Sequence, residues 1–407
     1  MKICKWEEKV QAFLTSHLEW IVLIALTILG CVIRYFPRQY VSDDAAECLL
    51  HWYSDFANWG GVHLLKQQVG NYAIAYQEFL SVIVYIPFNN ALFEIKIFSC
   101  LFDLVLAIGA GAIVYEMSES KYRKWQAICC YGLVLCAPVV FINSSLWGQC
   151  DAIYSSFLIW CLYFLIKEKY IPAFLMYGLA LSFKLQAIFL MPFLLWYWLY
   201  KKRFSILNFL IVPITMIVVD LPAIFMGRDI REVFTVYFDQ IGSSERLFEN
   251  YPLFWNLFLG TNVEGMFEYL KGSAIIFTLV MLILLLVFAY VYGKNMDHLQ
   301  CLLFAFITFY TICMFLPCIH DRYMFFGETL IIVLAFLDWK LLVPAVTLQG
   351  LMIHIYGVTL EDMPTNFSVL AAINLAIYVG VLGYFAYQLK RQNEAAGKGL
   401  VEENNKG

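Results

Sequence analysis

Charged side chains are scarce in this sequence. Only 14% of its 407 residues are Asp, Glu, Lys or Arg, against about a quarter in a soluble domain. Hydrophobic residues make up 62%, and the mean hydropathy is +0.72. This balance excludes a soluble globular enzyme, a disordered scaffold and a collagen-like chain. The net charge of −4 shows no basic excess, so nothing favours a nucleic acid as partner.

Two further patterns are missing. None of the twelve cysteines forms a CxxC pair, and most lie inside apolar runs, where they are expected to act as small apolar residues. A disulfide among Cys48, Cys150 and Cys318 stays open, because it depends on whether their loops meet. The apolar runs are unbroken rather than alternating, which argues against an outer-membrane barrel. The remaining fold class is an all-α, polytopic membrane protein.

Thirteen apolar runs occur along the chain. The basic clusters decide which of them cross the membrane, because Lys and Arg stay on the cytoplasmic side. The run at 74–88 is short, contains Gln77 and Glu78, and ends at Pro87. It is therefore predicted to be an interfacial or re-entrant helix on the outer side. The result is about 12 transmembrane helices, with both termini in the cytoplasm.

This topology defines the domain organisation. Residues 1–389 form a single transmembrane domain, and 390–407 form a polar cytoplasmic tail. Two large segments face outward: 37–93, which holds the interfacial helices, and 227–272. The unusual polar residues collect in the outer segments, so the chemistry of this protein is predicted to face outward.

Two adjacent carboxylates, Asp43 and Asp44, follow the first apolar run almost directly. At a membrane–water boundary, one carboxylate can act as a general base and the other can orient it or bind a metal. Ser42 is also a good N-cap for a helix from Asp43 to Asn58, with both acids in its first turn. The pattern alone leaves a purely structural role open.

A polar turn lies between two apolar runs, in the sequence WGQCD. Its residues Trp147, Gln149 and Asp151 are costly at membrane depth unless they line a wet cavity or bind one another. A helix-capping turn with an interfacial tryptophan is the alternative interpretation. Both interpretations remain open from the sequence.

Two further polar sites carry positive charge on the predicted outer side. Lys184 departs from the positive-inside trend, which a phosphate or carboxylate partner would explain. A structural pair with Asp103 or Asp220 would explain it equally. In the HDRY sequence, Arg322 offers a planar fork for phosphate oxygens, and His320 can donate to them too. The alternative is an Asp–Arg pair that closes a helix turn.

The segment 249–256 is aromatic, polar and predicted to lie outside. Its side chains Tyr251, Trp255 and Asn256 combine flat aromatic faces with an amide, which suits the faces and hydroxyls of sugars. Taken alone, this segment is better explained as an interfacial aromatic anchor. It contributes to a sugar site only together with the other motifs.

Together these motifs resemble those of the GT-C superfamily of integral-membrane glycosyltransferases. The likeness is greatest to the bacterial mannosyltransferase-like and protein O-mannosyltransferase-like branches. The acidic pair after the first span, WGQ-x-D, K-x-Q, YP…WNL and HDRY follow one another in the order that such proteins show. The long first outer segment also matches. The resemblance implies a multi-pass enzyme, in a bacterial plasma membrane, with its active site on the outer face.

The resemblance also implies a reaction. Such enzymes are inverting glycosyltransferases that move a sugar from a polyprenyl-phosphate-linked donor. The expected acceptor is a hydroxyl of a cell-envelope glycan or glycolipid, and the only other partners are membrane lipids. No cofactor is required, although the acidic pair is compatible with a divalent metal. Neither the sugar nor the acceptor is specified by the sequence.

Residue roles follow from the same resemblance. Asp43 or Asp44 would be the base on the acceptor, and the donor phosphate would be held by Arg322, Lys184 and His320. The sugar and acceptor contacts would be Trp147, Gln149, Asp151, Gln186, Tyr251, Trp255, Asn256, Asp321 and Tyr323. One departure concerns the lysine, which in relatives is often followed by proline. Here Leu185 follows, which leaves the position of Lys184 open.

A transporter or lipid flippase of envelope precursors is the competing hypothesis. It would need charged residues deep in the spans and an internal repeat. Asp103 and Asp220 are the only candidates for such charges, and no repeat is evident. The two hypotheses therefore place the important acids in different parts of the chain.

Overall fold

The described part of the chain is mainly helical. The computed structural model describes residues 5–86, 88, 90–242, 246–259 and 266–404. Pro87, parts of the second outer segment and the last three residues lie outside these ranges. The α-helices are α1 (Lys5–Tyr35), α2 (Leu50–Asn58), α3 (Ile74–Ile83), α4 (Ala91–Met117), α5 (Arg123–Cys136), α6 (Pro138–Phe141), α7 (Asp151–Ile166), α8 (Tyr170–Phe183), α9 (Met191–Lys201), α10 (Ile211–Val219), α11 (Leu221–Phe225), α12 (Glu232–Gly242), α13 (Phe267–Tyr292), α14 (His298–Phe315), α15 (Phe325–Leu337), α16 (Leu342–Glu361) and α17 (Phe367–Asn404).

Shorter helical segments connect these elements. The 3₁₀ segments are Phe36–Gln39, Gly61–Lys66, Leu185–Leu190, Ile206–Leu210, Phe254–Leu257 and Trp339–Leu341. Two π-helical segments cover Ala45–Leu49 and Ile142–Trp147. Within the described ranges no strand forms, and isolated bridges join Glu249 and Asn250 to His320.

Six helices are long and apolar enough to cross a membrane by themselves. They are α1, α4, α13, α14, α16 and α17. A seventh crossing results if α5 and the segment Pro138–Trp147, which meet at 45°, form one bent span. These helices confirm an all-α chain with several membrane-length apolar helices.

The remaining apolar helices are shorter, with 10–17 residues. At about 1.5 Å per residue they reach at most about 25 Å, while the hydrocarbon core is about 30 Å thick. Whether they cross depends on tilt and local thinning, so the count of about 12 spans stays a prediction. The ten residues of α3, predicted to be interfacial, extend only about 15 Å and are too short to cross.

Burial orders the helices from the centre to the periphery. In its most apolar stretch α14 is 89% buried, and it packs against α13, α15 and α17. Its first turn is held by a capping box, in which Asp297 accepts from the Gln300 amide at 2.7 Å and the Gln300 side chain accepts in return. The corresponding stretch of α1 is only 6% buried, so this helix lies at the edge of the bundle.

Segment 37–93 is joined to the residues that follow α11 by a buried arginine. Arg228 is 3% exposed and donates to Gln77 at 3.1 Å and to Gln68 at 2.6 Å. It also pairs with Glu232 at 2.9 Å. A charge buried in this way is tolerated because its donors are satisfied, so the contact fixes α3 against the start of α12.

Candidate functional site

The acidic pair opens a helix, as predicted. The chain is helical from Asp43 to Asn58, and the Ser42 hydroxyl oxygen accepts from the Ala45 amide at 3.2 Å. The same hydroxyl donates to the Trp147 carbonyl at 2.7 Å. The N-cap therefore also ties the acidic pair to the WGQ turn.

Both of these chain segments contain a π-helical turn. Asp44 directly precedes one, and Trp147 ends the other. An extra residue in a helical turn redirects the side chains near it, and such turns are frequent at functional sites. Gly148 follows with φ +86°, a left-handed conformation that favours glycine. After this reversal, the Gln149 amide donates to the Asn143 carbonyl at 2.9 Å.

Three donors converge on one oxygen of Asp44. Its Oδ2 accepts from Trp147 Nε1 at 2.9 Å, from Gln149 Nε2 at 2.5 Å and from Arg322 Nη1 at 3.3 Å. Hydrogen bonds of this kind are directional, so together they fix the orientation of the Asp44 carboxylate. Two residues of the WGQ turn thus bind Asp44 and fix its position.

Asp43 is in the opposite situation. Its side chain is exposed, and within the described residues it makes no hydrogen bond or ion pair. Adjacent positions in a helix point about 100° apart, which is why one carboxylate is held by the turn and its neighbour is not. Asp43 is consequently the acid of the pair whose carboxylate is not held by other side chains of the described residues.

Both acids line a small polar cavity of about 200 Å³. Its walls come from five separate parts of the chain. The lining residues are Tyr40, Asp43, Asp44, Trp147, Glu249, Asn250, His320, Asp321, Arg322, Thr359 and Leu360. The structure therefore brings the acidic pair, the tryptophan of the WGQ turn and the HDR residues into one cavity.

Arg322 is the principal cation of the cavity. Its guanidinium lies 5.2 Å from the centre of the Trp147 ring, and its side chain is 14% exposed. Its nearest carboxylates are those of Asp44 at 3.3 Å, Asp321 at 3.6 Å and Asp151 at 3.9 Å. Within the described residues its Nε is buried without a hydrogen-bond partner. Arg322 thus keeps donors available for another anion.

Lys184 has a partner of its own. It donates to Oδ1 of Asp151, which is fully buried and also accepts from Asn143 at 2.9 Å on Oδ2. Lys184 does not line the cavity, and it pairs with neither Asp103 nor Asp220. Asp151 thus lies between the two cations of the site, and neither Asp151 nor Lys184 is open to the cavity.

Other predicted site residues lie outside the cavity. Gln186 lies beside the Tyr323 hydroxyl, and the Tyr323 ring packs on His320 at 4.9 Å between centres. Three more hold the second outer segment in place: buried Tyr251, Trp255, which donates to the Phe315 carbonyl, and Asn256, which accepts from the Leu253 amide. The structure does not bring these five side chains to the acids.

Some residues that contact the site or line the cavity were not predicted from the sequence. Tyr72, in the first outer segment, donates to the Gln149 side chain at 2.9 Å and so orients the amide that holds Asp44. Thr359 donates to Asp321 at 2.6 Å, and Tyr40 and Leu360 also line the cavity. These residues belong to ordinary-looking stretches and reach the site only through tertiary packing.

The described residues contain no group of three or more His, Cys, Asp or Glu arranged to hold a metal ion. Cys48 and Cys150 carry free thiols, so no disulfide joins either of them. The charged groups that line the cavity are carboxylates and the Arg322 guanidinium.

Burial changes the protonation of two neighbours in the HDRY motif. Burial, together with the positive charges of Arg322 and Lys184, lowers the pKa of His320 to about 4. Burial raises the pKa of Asp321 to about 6, although Arg322 and the Thr359 hydroxyl act against the shift. At neutral pH His320 is therefore an uncharged hydrogen-bonding group and adds no positive charge to the cavity.

These shifts predict opposite pH effects on stability. Between about pH 6.5 and 4 the unfolded histidine binds a proton that folded His320 does not, so this group destabilises the fold as pH falls. Between about pH 6 and 4 folded Asp321 holds a proton that the unfolded acid has lost, so it stabilises the fold as pH falls.

Thermal unfolding of the detergent-purified protein from pH 7.5 to 4.5 separates the two groups. Asp321→Asn should lose stability more steeply than the wild type as pH falls, and His320→Gln less steeply. The expected difference at the acid end is on the order of 1–3 kcal/mol. If stability falls with pH equally in all three proteins, the pKa shifts of both His320 and Asp321 are contradicted.

The chain was also compared with known proteins. No protein-family model matches it, and no curated protein matches it either. The geometry of the cavity is thus the basis for a functional assignment.

Proposed function

We propose that this protein is an inverting glycosyltransferase that takes a sugar from a polyprenyl-phosphate-linked donor. The proposal rests on one observation: the Asp43 carboxylate, which has no partner within the described residues, and the Arg322 guanidinium line the same cavity. A base and a cation with spare donors are the two groups that such a transfer needs. The resemblance of the motifs to the GT-C superfamily points the same way.

The proposed reaction has three coupled events. Asp43 accepts the proton of the acceptor hydroxyl while the oxygen of that hydroxyl attacks the anomeric carbon of the sugar. The bond between that carbon and the phosphate oxygen breaks on the opposite face, which inverts the configuration. The electron pair leaves with the polyprenyl phosphate, and Arg322 stabilises the charge that develops there. His320 adds a neutral hydrogen bond.

The other site residues position these two groups. Trp147 and Gln149 hold Asp44, and Asp44 in turn holds Arg322 from one side. Asp151, paired with Lys184, lies on the other side of the guanidinium. We assign Lys184 to this support and not to direct contact with the phosphate. The cavity, at about 200 Å³, is below the roughly 300–1,000 Å³ of small-molecule pockets, which suits one sugar unit with its lipid outside.

The finer topology belongs to the same proposal. The enzyme has about 12 spans, its termini face the cytoplasm, and the cavity opens on the outer face of a bacterial plasma membrane. The acceptor is a hydroxyl of a cell-envelope glycan or glycolipid. The proposal accounts for cations at Arg322 and Lys184, which lie outside the basic cytoplasmic loops.

Transfer by the purified, liposome-reconstituted protein tests the proposal. A panel of radiolabelled polyprenyl-phosphate sugars, with nucleotide sugars as comparison, is offered together with envelope glycolipids. Sugar transfer is expected from a lipid-phosphate donor and not from a nucleotide sugar. Absence of transfer from every lipid donor, with the protein folded, would contradict the proposal.

Arg322→Ala should reduce kcat by about 10²–10³-fold, as the loss of one preorganised charge-stabilising group does elsewhere. Arg322→Lys keeps the charge but loses the planar fork, so an intermediate value is expected. The matched control is Arg231→Gln, whose side chain is 84% exposed and pairs only with nearby Asp229. Equal rates for Arg322→Ala and the control would exclude this role for Arg322.

The transporter hypothesis finds less support. Its candidate Asp103 pairs with Arg34 at 2.8 Å and also accepts from Ser144. A carboxylate that is already neutralised in this way is poorly suited to carry an ion.

A further inference from the structure

A second cavity lies beside the first helix, α1. It is a groove of about 270 Å³ between α1, α4 and the end of α5. Most of its surface is apolar, and side chains such as Cys31, Ile97 and Leu101 are exposed along it. It shares no lining residue with the polar cavity. An apolar, exposed groove between membrane-length helices faces lipid.

Three cations line this apolar groove: Arg34, Arg38 and Lys96. Within the described residues only one of them has a carboxylate partner, because Arg34 pairs with Asp103 at 2.8 Å. Counting these four groups as ionised, the groove carries an excess of two positive charges. Such an excess at membrane depth is unfavourable unless an anion compensates it.

Arg34 retains an unused donor. Its side chain is 8% exposed, its Nε binds Asp103, and its Nη1 donates to the Gly30 carbonyl at 2.9 Å. Its Nη2 is buried and, within the described residues, has no hydrogen-bond partner. A buried guanidinium nitrogen without a partner costs free energy, so an oxygen ligand at this position would be stabilising.

Among the described residues, Lys96 and Arg38 donate hydrogen bonds to neutral groups. Lys96 is 2% exposed and donates to the Tyr40 carbonyl at 2.5 Å. Arg38 donates to the Tyr35 carbonyl at 2.7 Å, and its guanidinium lies over the Tyr35 ring at 3.5 Å. Ammonium and guanidinium groups have further donors that these contacts do not use.

We propose that this groove binds the phosphate of an anionic glycerophospholipid, with one acyl chain lying along α1 and α4. The three cations match the headgroup charge, and the apolar wall matches the chain. Because Lys96 also holds the carbonyl of Tyr40, whose side chain lines the polar cavity, the lipid stabilises the turn that leads to the acidic pair. Lipid binding at this groove does not require sugar transfer to take place.

Native mass spectrometry of the full-length protein in detergent, titrated with phosphatidylglycerol or phosphatidylcholine, tests this lipid site. One phosphatidylglycerol is expected to bind in preference to phosphatidylcholine. Arg38→Gln and Lys96→Gln should each weaken it by several-fold, and by on the order of tenfold or more together. Lys96→Arg keeps the charge and should bind as the wild type does.

The outcomes separate the proposal from its alternatives. Arg231→Gln, an exposed arginine remote from the groove, is the control and should bind as the wild type does. Equal binding of both lipids, or unchanged binding by the Arg38→Gln variant, would overturn the proposal. A Lys96→Arg variant as weak as Lys96→Gln would also overturn it, because packing rather than charge would then explain the loss. None of these results depends on sugar transfer.

Discussion

Asp43→Asn should lower kcat for sugar transfer by about 10²–10⁴-fold, the contribution of a positioned general base. Asparagine has the same shape but cannot accept the proton from the acceptor hydroxyl at neutral pH. The substitution breaks no hydrogen bond, since the Asp43 carboxylate makes none within the described residues. KM for the donor and thermal stability should therefore change little. Initial rates in reconstituted liposomes, over a range of donor concentrations, measure both kinetic constants.

Two variants complete this experiment. Asp44→Asn removes the charge that Trp147, Gln149 and Arg322 hold, so it should raise KM for the donor as well as lower kcat. Asp55→Asn is the matched control, since Asp55 is an exposed acid on the same helical stretch. If Asp43→Asn keeps full activity while Asp44→Asn loses it, the base is Asp44 and the assignment here is reversed.

Lys184→Met should lower the free energy of unfolding by about 3–5 kcal/mol, the usual cost of leaving one partner of a buried ion pair uncompensated. Its partner Asp151 is fully buried and would keep only Asn143 and the more distant Arg322. The midpoint of thermal unfolding in detergent measures the effect. Lys169→Met, which changes an exposed lysine, is the control and should be close to the wild type.

The double variant Lys184→Met/Asp151→Asn distinguishes the two roles of the lysine. It removes both charges, so most of the stability should return. If Lys184 only supports the site, the double variant should bind the donor with a nearly unchanged KM. A folded double variant with a strongly raised donor KM would show that Lys184 contacts the phosphate. A Lys184→Met variant as stable as the control would contradict the buried pair itself.

Much of the fold was predictable because its signals are local. Long apolar runs indicated membrane helices, and six helices of sufficient length occur. Ser42 before two acids indicated a capped helix from Asp43 to Asn58, and the chain is helical over that range. The short helix α3 was also anticipated from its polar residues. Capping and hydropathy act within a few residues, so they can be read along the chain.

For the short apolar helices, hydropathy does not predict whether they cross the membrane. Stretches such as α7, α8 and α15 are apolar but have only 13–16 residues. For a helix of that length, crossing depends on its neighbours and on the local bilayer, which hydropathy does not describe. The number of spans therefore did not follow from composition and periodicity alone.

The sequence by itself identified the candidate functional residues. They are an acidic pair, a WGQ turn, a lysine and an HDRY motif in a chain with few charges. Tertiary structure decided what each one does. Asp44 is held by Trp147, Gln149 and Arg322, which are 103, 105 and 278 positions away, while adjacent Asp43 is left exposed. Lys184 donates to Asp151 and does not line the cavity. These contacts depend on how helices distant in sequence pack together. The spacing of residues along the chain therefore does not predict them.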